Sequence, residues 1–283
     1  MSETQKYILC YTRKPQDDMI YASRLAYSMH LAYSDDGRKF EALNHNSGVL
    51  FAKAADNPDG TMNAKSLKSP FLFPMAGGGF GAVAVRTAAD GKDDPESRGK
   101  ILFFATEDLL QYAEIGLIDL HTAASVEDVR CGFDTDQKIY WIKWKDQGGQ
   151  WFKNKISDLH CLGSASMPVC TEAVCLNKID ADIEGIVPRN VICVPEKIGN
   201  RLKFKLSVPY NVSIEAPKEI NASSAGELKQ AAATAVYNDG TAARKTVDWD
   251  DSAVNWSQAG VYKISGTVHQ DSYRFPIAFN RAD

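Results

Sequence analysis

Long apolar runs are missing from this chain of 283 residues. None approaches the ~18 residues that a membrane-crossing helix needs. The opening residues Met1 to Tyr7 lead directly into a strand-like segment and carry no apolar signal core. An excess of positive charge is missing too. Lysine and arginine number 32 against 36 aspartates and glutamates, for a net charge of −4, and no basic stripe of the kind that nucleic acid selects is visible. These absences predict a soluble, cytoplasmic protein with no nucleic-acid or membrane partner.

Metal and nucleophile motifs are also lacking. The cysteines Cys10, Cys131, Cys161, Cys170, Cys175 and Cys193 form no Cys-x-x-Cys pair. The spacings among the last four fit no common zinc pattern, so buried, reduced thiols and no cofactor are expected. His45, His121, His160 and His269 make no ligand set, and His30 sits in an apolar strand where a packed, hydrogen-bonded role is expected. Gly77-Gly78-Gly79-Phe80-Gly81 lacks the Lys-Ser/Thr of a phosphate loop and reads as a hairpin turn. A Gly-x-Ser-x-Gly nucleophile elbow does not occur.

Strand-like runs are what the chain has in quantity. Tyr7–Thr12, Ser28–Tyr33, Gly81–Arg86, Lys100–Ala105, Lys138–Trp144 and Val191–Val194 are short, β-branched and aromatic, and bounded by turn residues. Helical periodicity is scarce, with a turn or two at Gly226–Ala233. The pattern predicts an all-β fold. A weak repeat runs through it: Tyr33 to Phe40, Ala105 to Tyr112 and Trp144 to Trp151 each join a strand, a polar turn and an aromatic that begins the return strand. Such hairpins suit the blades of a β-propeller, and three units are too few to close a ring.

A second module begins near Tyr210. Asn211 to Pro217 alternates like a strand, Asp239-Gly240 is a hairpin signal, and Gln258 to Val268 reads as a turn and an alternating strand. Roughly seventy residues in such short strands predict a small β-sandwich. Three marks occur in order: Tyr237-Asn238-Asp239-Gly240, Val247-Asp248-Trp249, and the alternating run from Gly260 to Val268. By these marks the module resembles a bacterial immunoglobulin-like domain of group 4.

The remainder carries a second resemblance. Tyr7 to Arg13, His30 to Gly37 and Ile183 to Ile192 are similar to the N-terminal region of bacterial glycoside hydrolase family 43-type enzymes. The final Asn280-Arg281-Ala282-Asp283 resembles the opening of their catalytic five-bladed propeller. The resemblance implies a partial propeller-like domain over 1–208, the immunoglobulin-like sandwich over 209–278, and the start of a missing catalytic propeller at 279–283. It implies an accessory region of an enzyme acting on arabinose- or xylose-containing plant glycans. The partners it implies are plant-polysaccharide-derived oligosaccharides and a catalytic propeller domain. By position Asp283 would be the general base, without the second aspartate and the glutamate acid that inverting hydrolysis requires.

Within the chain the candidates are few. Asp36 and Asp108 lie in equivalent turns, where aspartate bonds the local backbone. Glu184 lies between apolar residues and is either an acid of raised pKa or a partner for Arg189. Trp141 and Trp151 are candidate sugar-stacking rings. Alternation places Trp141 with Lys143 and Lys145 on the more polar face of its strand, either as a platform or packed at a blade interface under lysine stems. The competing readings differ in what the surface should show. An accessory region cut from its propeller predicts exposed apolar surface. A self-contained carbohydrate-binding or scaffold protein predicts an aromatic platform at Trp141 or Trp151. A complete small glycosidase using Glu184 predicts convergent acids in a pocket.

Overall fold

The computed structural model describes residues 5–14, 27–57, 59–173, 179–207, 211–237 and 240–268. The chain divides into two compact units, Met1–Ser207 and Val208–Asp283. It is all-β. In order the strands of the first unit are β1 (Gln5–Arg13), β2 (His30–Ser34), β3 (Glu41–Ala42), β4 (Ala55–Asp56), β5 (Met62–Asn63), β6 (Lys65–Pro74) and β7 (Phe80–Ala88). There follow β8 (Lys100–Thr106), β9 (Ala113–Asp119), β10 (Val126–Asp134), β11 (Ile139–Asp146), β12 (Trp151–Ile156), β13 (Val169–Cys170) and β14 (Ile186–Pro195). Helix α1 (Glu196–Leu206) ends the unit.

Three four-stranded antiparallel sheets carry the first unit, in the orders β14-β1-β2-β3, β6-β7-β8-β9 and β10-β11-β12-β13. Each is blade-like, and among the described residues they do not close a propeller. The first sheet joins the two ends of the unit, since β14 pairs with β1 from Gln5↔Pro195 to Arg13↔Ile186.

Strand alternation explains how the sheets stack, because successive side chains face opposite sides. Ile8, Cys10, Leu31 and Tyr33 of the first sheet meet Ala82, Ala84, Leu102 and Phe104 of the second in one core. Val83, Val85, Ile101 and Phe103, from the opposite face of the second sheet, meet Cys131, Ile142, Trp144 and Ile156 of the third. The unbroken run Ile101-Leu102-Phe103-Phe104 is therefore apolar because its sheet is covered on both sides. The outer face of the first sheet packs Leu9, Tyr11 and Ala32 against Phe40, Ile179, Ala181 and Ile183.

Side chains of β14 tie the sheets together. The Arg189 guanidinium donates to the Pro70 carbonyl at 3.1 Å and the Ser69 carbonyl at 3.4 Å on β6, and pairs with the Asp128 carboxylate on β10. The Asn190 amide accepts from the Leu72 N–H at 3.2 Å and donates to the Leu72 carbonyl at 2.8 Å, as a paired backbone would.

Two of the three sequence repeats are the same structure. Between β2 and β3 the Asp36 carboxylate accepts from the amides of Arg38 and Lys39 at 2.8 and 3.0 Å, and the Ser34 hydroxyl accepts from Gly37 at 2.9 Å. Between β8 and β9 the Asp108 carboxylate accepts from Leu110 and Gln111, both at 3.0 Å, and the Thr106 hydroxyl from Leu109 at 3.0 Å. Gly37 and Leu109 hold the same left-handed position, with φ of 72° and 59°. The third repeat departs from the pattern. It is a tight turn closed by the Gly149 amide on the Asp146 carbonyl at 3.1 Å, and it joins the second and third strands of its sheet.

The second unit contains β15 (Asn211–Glu215), α2 (Ala225–Leu228), β16 (Ala232–Tyr237), β17 (Ala242–Thr246), β18 (Asp248–Asp250) and β19 (Ser265–Thr267). The sheets are β15-β16-β17 and β18-β19. Leu228, Ala233, Ala235, Tyr237 and Val247 are buried. The Trp249 indole donates to the Ala231 carbonyl at 3.0 Å, and its ring lies where a Cβ on the opposite Gly266 would stand, 2.6 Å away. The run expected as a strand over Gln258–Val268 pairs only at Ser265–Thr267.

Two expectations are corrected. Helix α1 follows Pro195, and Ile198, Leu202 and Leu206, four residues apart, bring one apolar stripe onto the first core. The cysteines are not uniformly buried: Cys10 and Cys131 are, whereas Cys161, Cys170 and Cys193 are exposed, and Cys175 lies outside the described residues. Burial pushes the Cys10 thiol up to about 12. His30 is buried as expected, its Nδ1 3.3 Å from the Ser28 carbonyl, and burial lowers its pKa to about 4.

Candidate functional site

The third sheet differs from the other two in having one apolar face. On β11, Tyr140, Ile142 and Trp144 are buried in the core, while Trp141, Lys143 and Lys145 between them are half-buried. Trp144 is fixed on the inner side by its indole N–H, which donates to the Asn154 carbonyl oxygen at 2.7 Å, and by stacking on Phe152 at 4.6 Å between ring centres.

Register assembles the outer face from three strands. Arg130 on β10 stands opposite Lys143, which stands opposite Lys153 on β12. Gly132 stands opposite Trp141, and Trp141 opposite Lys155. Asp128 stands opposite Lys145, and Lys145 opposite Trp151. Five cations thus share one side of the sheet with two tryptophans. Its acidic residue Asp128 already pairs with Arg189 and stands 3.5 Å from Arg130.

The two candidate rings differ sharply. Trp151 is 8% exposed, and the Arg130 guanidinium lies 4.7 Å from its ring centre. A ring so covered cannot stack on a sugar, which corrects the expectation for Trp151. Trp141 is half-buried and lies across Gly132, where a Cβ would come within 2.4 Å of the ring. The Lys143 ammonium stands 5.9 Å from the Trp141 ring centre. The glycine lets the indole lie down on the sheet, with the lysines of the same face around it.

The carboxylate candidates do not gather. Glu184 is exposed in the turn before β14, where its carbonyl accepts from the Asn46 side-chain amide at 3.1 Å. The partner of Arg189 is Asp128 rather than Glu184. Asp283 lies outside the described residues. An open cleft of about 570 Å³ is lined by Met75, Gly78, Thr106, Glu107, Asp108 and Tyr112, among others. Its Asp108 is engaged by backbone amides and lies 3.6 Å from Arg201. The Tyr112 hydroxyl is buried, and desolvation raises its pKa well above the ordinary value, so it stays protonated. The cleft offers little acid–base chemistry.

Residues 231–271 match the bacterial Ig-like domain (group 4) family. The second unit carries an Ig-like domain. The match spans the Tyr237–Thr241 turn, closed by the Gly240 amide on the Tyr237 carbonyl at 2.9 Å, together with Trp249 and the β18–β19 pair. Comparison of the chain with curated proteins and with solved structures finds no match.

The sequence pointed to Trp141 and its lysine neighbours but not to Arg130, Gly132, Lys153 or Lys155. The missing signal is pairwise. Each of these residues alternates with an apolar neighbour on its own strand, and only the register brings them to one face.

Proposed function

We propose that this chain is a non-catalytic glycan-recognition region that works beside the catalytic propeller of a family 43-type glycoside hydrolase. The blade-like sheets and the Ig-like domain suit an accessory role of that kind. The observation that carries the reading is Trp141, a partly open indole laid across Gly132 on an outer sheet face. Flat aromatic surface is what the apolar C–H faces of sugars stack against, and neighbouring polar groups orient their hydroxyls. The outer face of the third sheet is charged and carries one accessible ring. This marks the face as a binding surface and not as the seat of the propeller, which the accessory reading places elsewhere on the chain.

The expected ligands are plant-polysaccharide-derived oligosaccharides, those containing arabinose or xylose first among them. The test has two parts. Hydrolysis of aryl arabinofuranosides and xylosides by the chain alone should be absent. Oligosaccharide binding, followed by calorimetry or indole fluorescence, should be present and weakened by Trp141→Ala. Hydrolysis by the chain alone, or binding indifferent to Trp141, would overturn the reading.

A further inference from the structure

The outer face of the third sheet carries a charge pattern that works against folding. Arg130, Lys143 and Lys153 form a row across three adjacent strands, each directly opposite the next. Opposed side chains in such pairs lie ~4.5–5.5 Å apart, and like charges there are destabilising. Lys145 and Lys155 flank the row on the same face. The acidic neighbour Asp128 is shared by Arg189 and by the buried Arg130, 3.5 Å away, so Lys143 and Lys153 are the members of the row that make no ion pair among the described residues. A concentrated positive surface on a chain of net charge −4 is a local conflict, and conflicts that persist against the fold mark functional positions.

We propose that this face binds an acidic oligosaccharide, one whose sugar rings carry carboxylate or sulfate groups. Trp141 takes the face of one ring, and Lys143 and Lys153 pair with the anionic substituents. The inference rests on the glycan-recognition reading above and narrows it from oligosaccharides in general to charged ones. Charge complementarity selects the occupant. Lysine ammonium groups without acidic partners, Lys143 and Lys153 on adjacent strands, gain most from a ligand of repeated negative charge. The aromatic arrangement argues against single-stranded nucleic acid, the other polyanion of this size. Nucleic-acid platforms stack successive bases on several rings. Here Trp151 lies beneath Arg130, and Trp144 and Phe152 face the core.

The test titrates the full chain at low and high salt with four probes of matched length: oligogalacturonate, a sulfated oligosaccharide, a neutral arabinoxylan oligosaccharide and single-stranded RNA. The result expected is that an acidic oligosaccharide binds about ten-fold tighter than the neutral one at low salt. That preference should vanish at high salt. A Lys143→Gln/Lys153→Gln variant of unchanged or raised melting temperature should lose it as well, about ten-fold for two exposed ion pairs. The carboxylate and sulfate arms identify which anion is preferred, and preference for either supports the inference. Equal binding of the neutral probe, indifferent to the lysines but dependent on Trp141, overturns the inference and leaves the glycan-recognition reading standing. Tighter binding of RNA than of any glycan overturns the inference in favour of nucleic acid. No binding of any oligosaccharide removes both readings together.

Discussion

Arg189 on β14 and Asp128 on β10 form a buried ion pair that joins the first sheet to the third. The same guanidinium reaches the Ser69 and Pro70 carbonyls of the second sheet. One side chain therefore contacts one strand from each of the other two sheets, and the three-sheet unit depends on the return of β14 to its first strand. Every polar hydrogen-bonding need of a buried guanidinium must be met, because an unpaired buried charge is far more costly than an unpaired surface one.

Asp128→Asn should accordingly destabilise the protein by about 3–5 kcal/mol, the cost of leaving one member of a buried pair uncompensated. Replacing both members with apolar residues, Asp128→Leu with Arg189→Met, should cost much less than the sum of the single changes. Urea unfolding midpoints read the difference. A double variant that loses as much as the two single changes added together would mean that the pair carries no coupling.

Acidification should weaken the same unit through His30. Burial first, and the nearby Arg13 charge as well, lower its folded pKa to about 4 from an ordinary 6.5. The unfolded chain then binds the proton more tightly than the folded one between these values. The stability contributed by a neutral His30 is full above about pH 6.5 and falls away as pH drops toward 4. At ~1.36 kcal/mol per unit the contribution is about 3 kcal/mol. His30→Gln should flatten the stability-versus-pH curve over that window, and an unchanged slope would refute the assignment.

What could be read in the sequence follows from the range of the interactions. The β7 and β8 cores were legible because apolar runs such as Ile101 to Phe104 need only local pattern. The turns at Asp36 and Asp108 were legible because each aspartate bonds amides two and three residues on. Helix α1 was legible in principle from Ile198, Leu202 and Leu206, although its lysines and Gly199 dilute the stripe. The outer face of the third sheet was legible only along one strand, as Trp141 with Lys143 and Lys145. Arg130, Lys143 and Lys153 are spread over two hairpins, and the overall charge of −4 hides their meeting. Trp151 failed as a platform for the same reason, since Arg130 arrives over it from two strands away.

Gly132 should prove as important to the face as Trp141 itself. A methyl group at this position would meet the Trp141 ring at 2.4 Å, closer than any real contact. The backbone there requires no left-handed conformation, so Gly132→Ala acts through the ring alone. The indole must lift from the sheet, which should red-shift its fluorescence and weaken oligosaccharide binding about as much as Trp141→Ala. The loss of stability should stay within about 1–3 kcal/mol, as for other overpacked sites. Binding unaffected by Gly132→Ala would show that the ring position does not matter.

Reversing the central charge of the cation row should stabilise the fold. With Lys143→Glu, the row Arg130–Lys143–Lys153 changes from three like charges to an alternating set with two favourable cross-strand pairs. Each such pair contributes roughly 0.2–1 kcal/mol, and the repulsion it replaces is of similar size, so a gain of about 1 kcal/mol is expected. The sign of the salt effect separates this cause from a change in packing. In the native protein added salt screens repulsion in the row and should raise the melting temperature, whereas in the variant it screens attraction and should lower it. Thermal unfolding at low and high salt reads both slopes. A variant less stable than the native protein at low salt, or slopes of the same sign, would mean that the lysines are relieved by contacts other than the row. The same substitution should abolish preference for acidic oligosaccharides, so stability and binding should move in opposite directions at one residue.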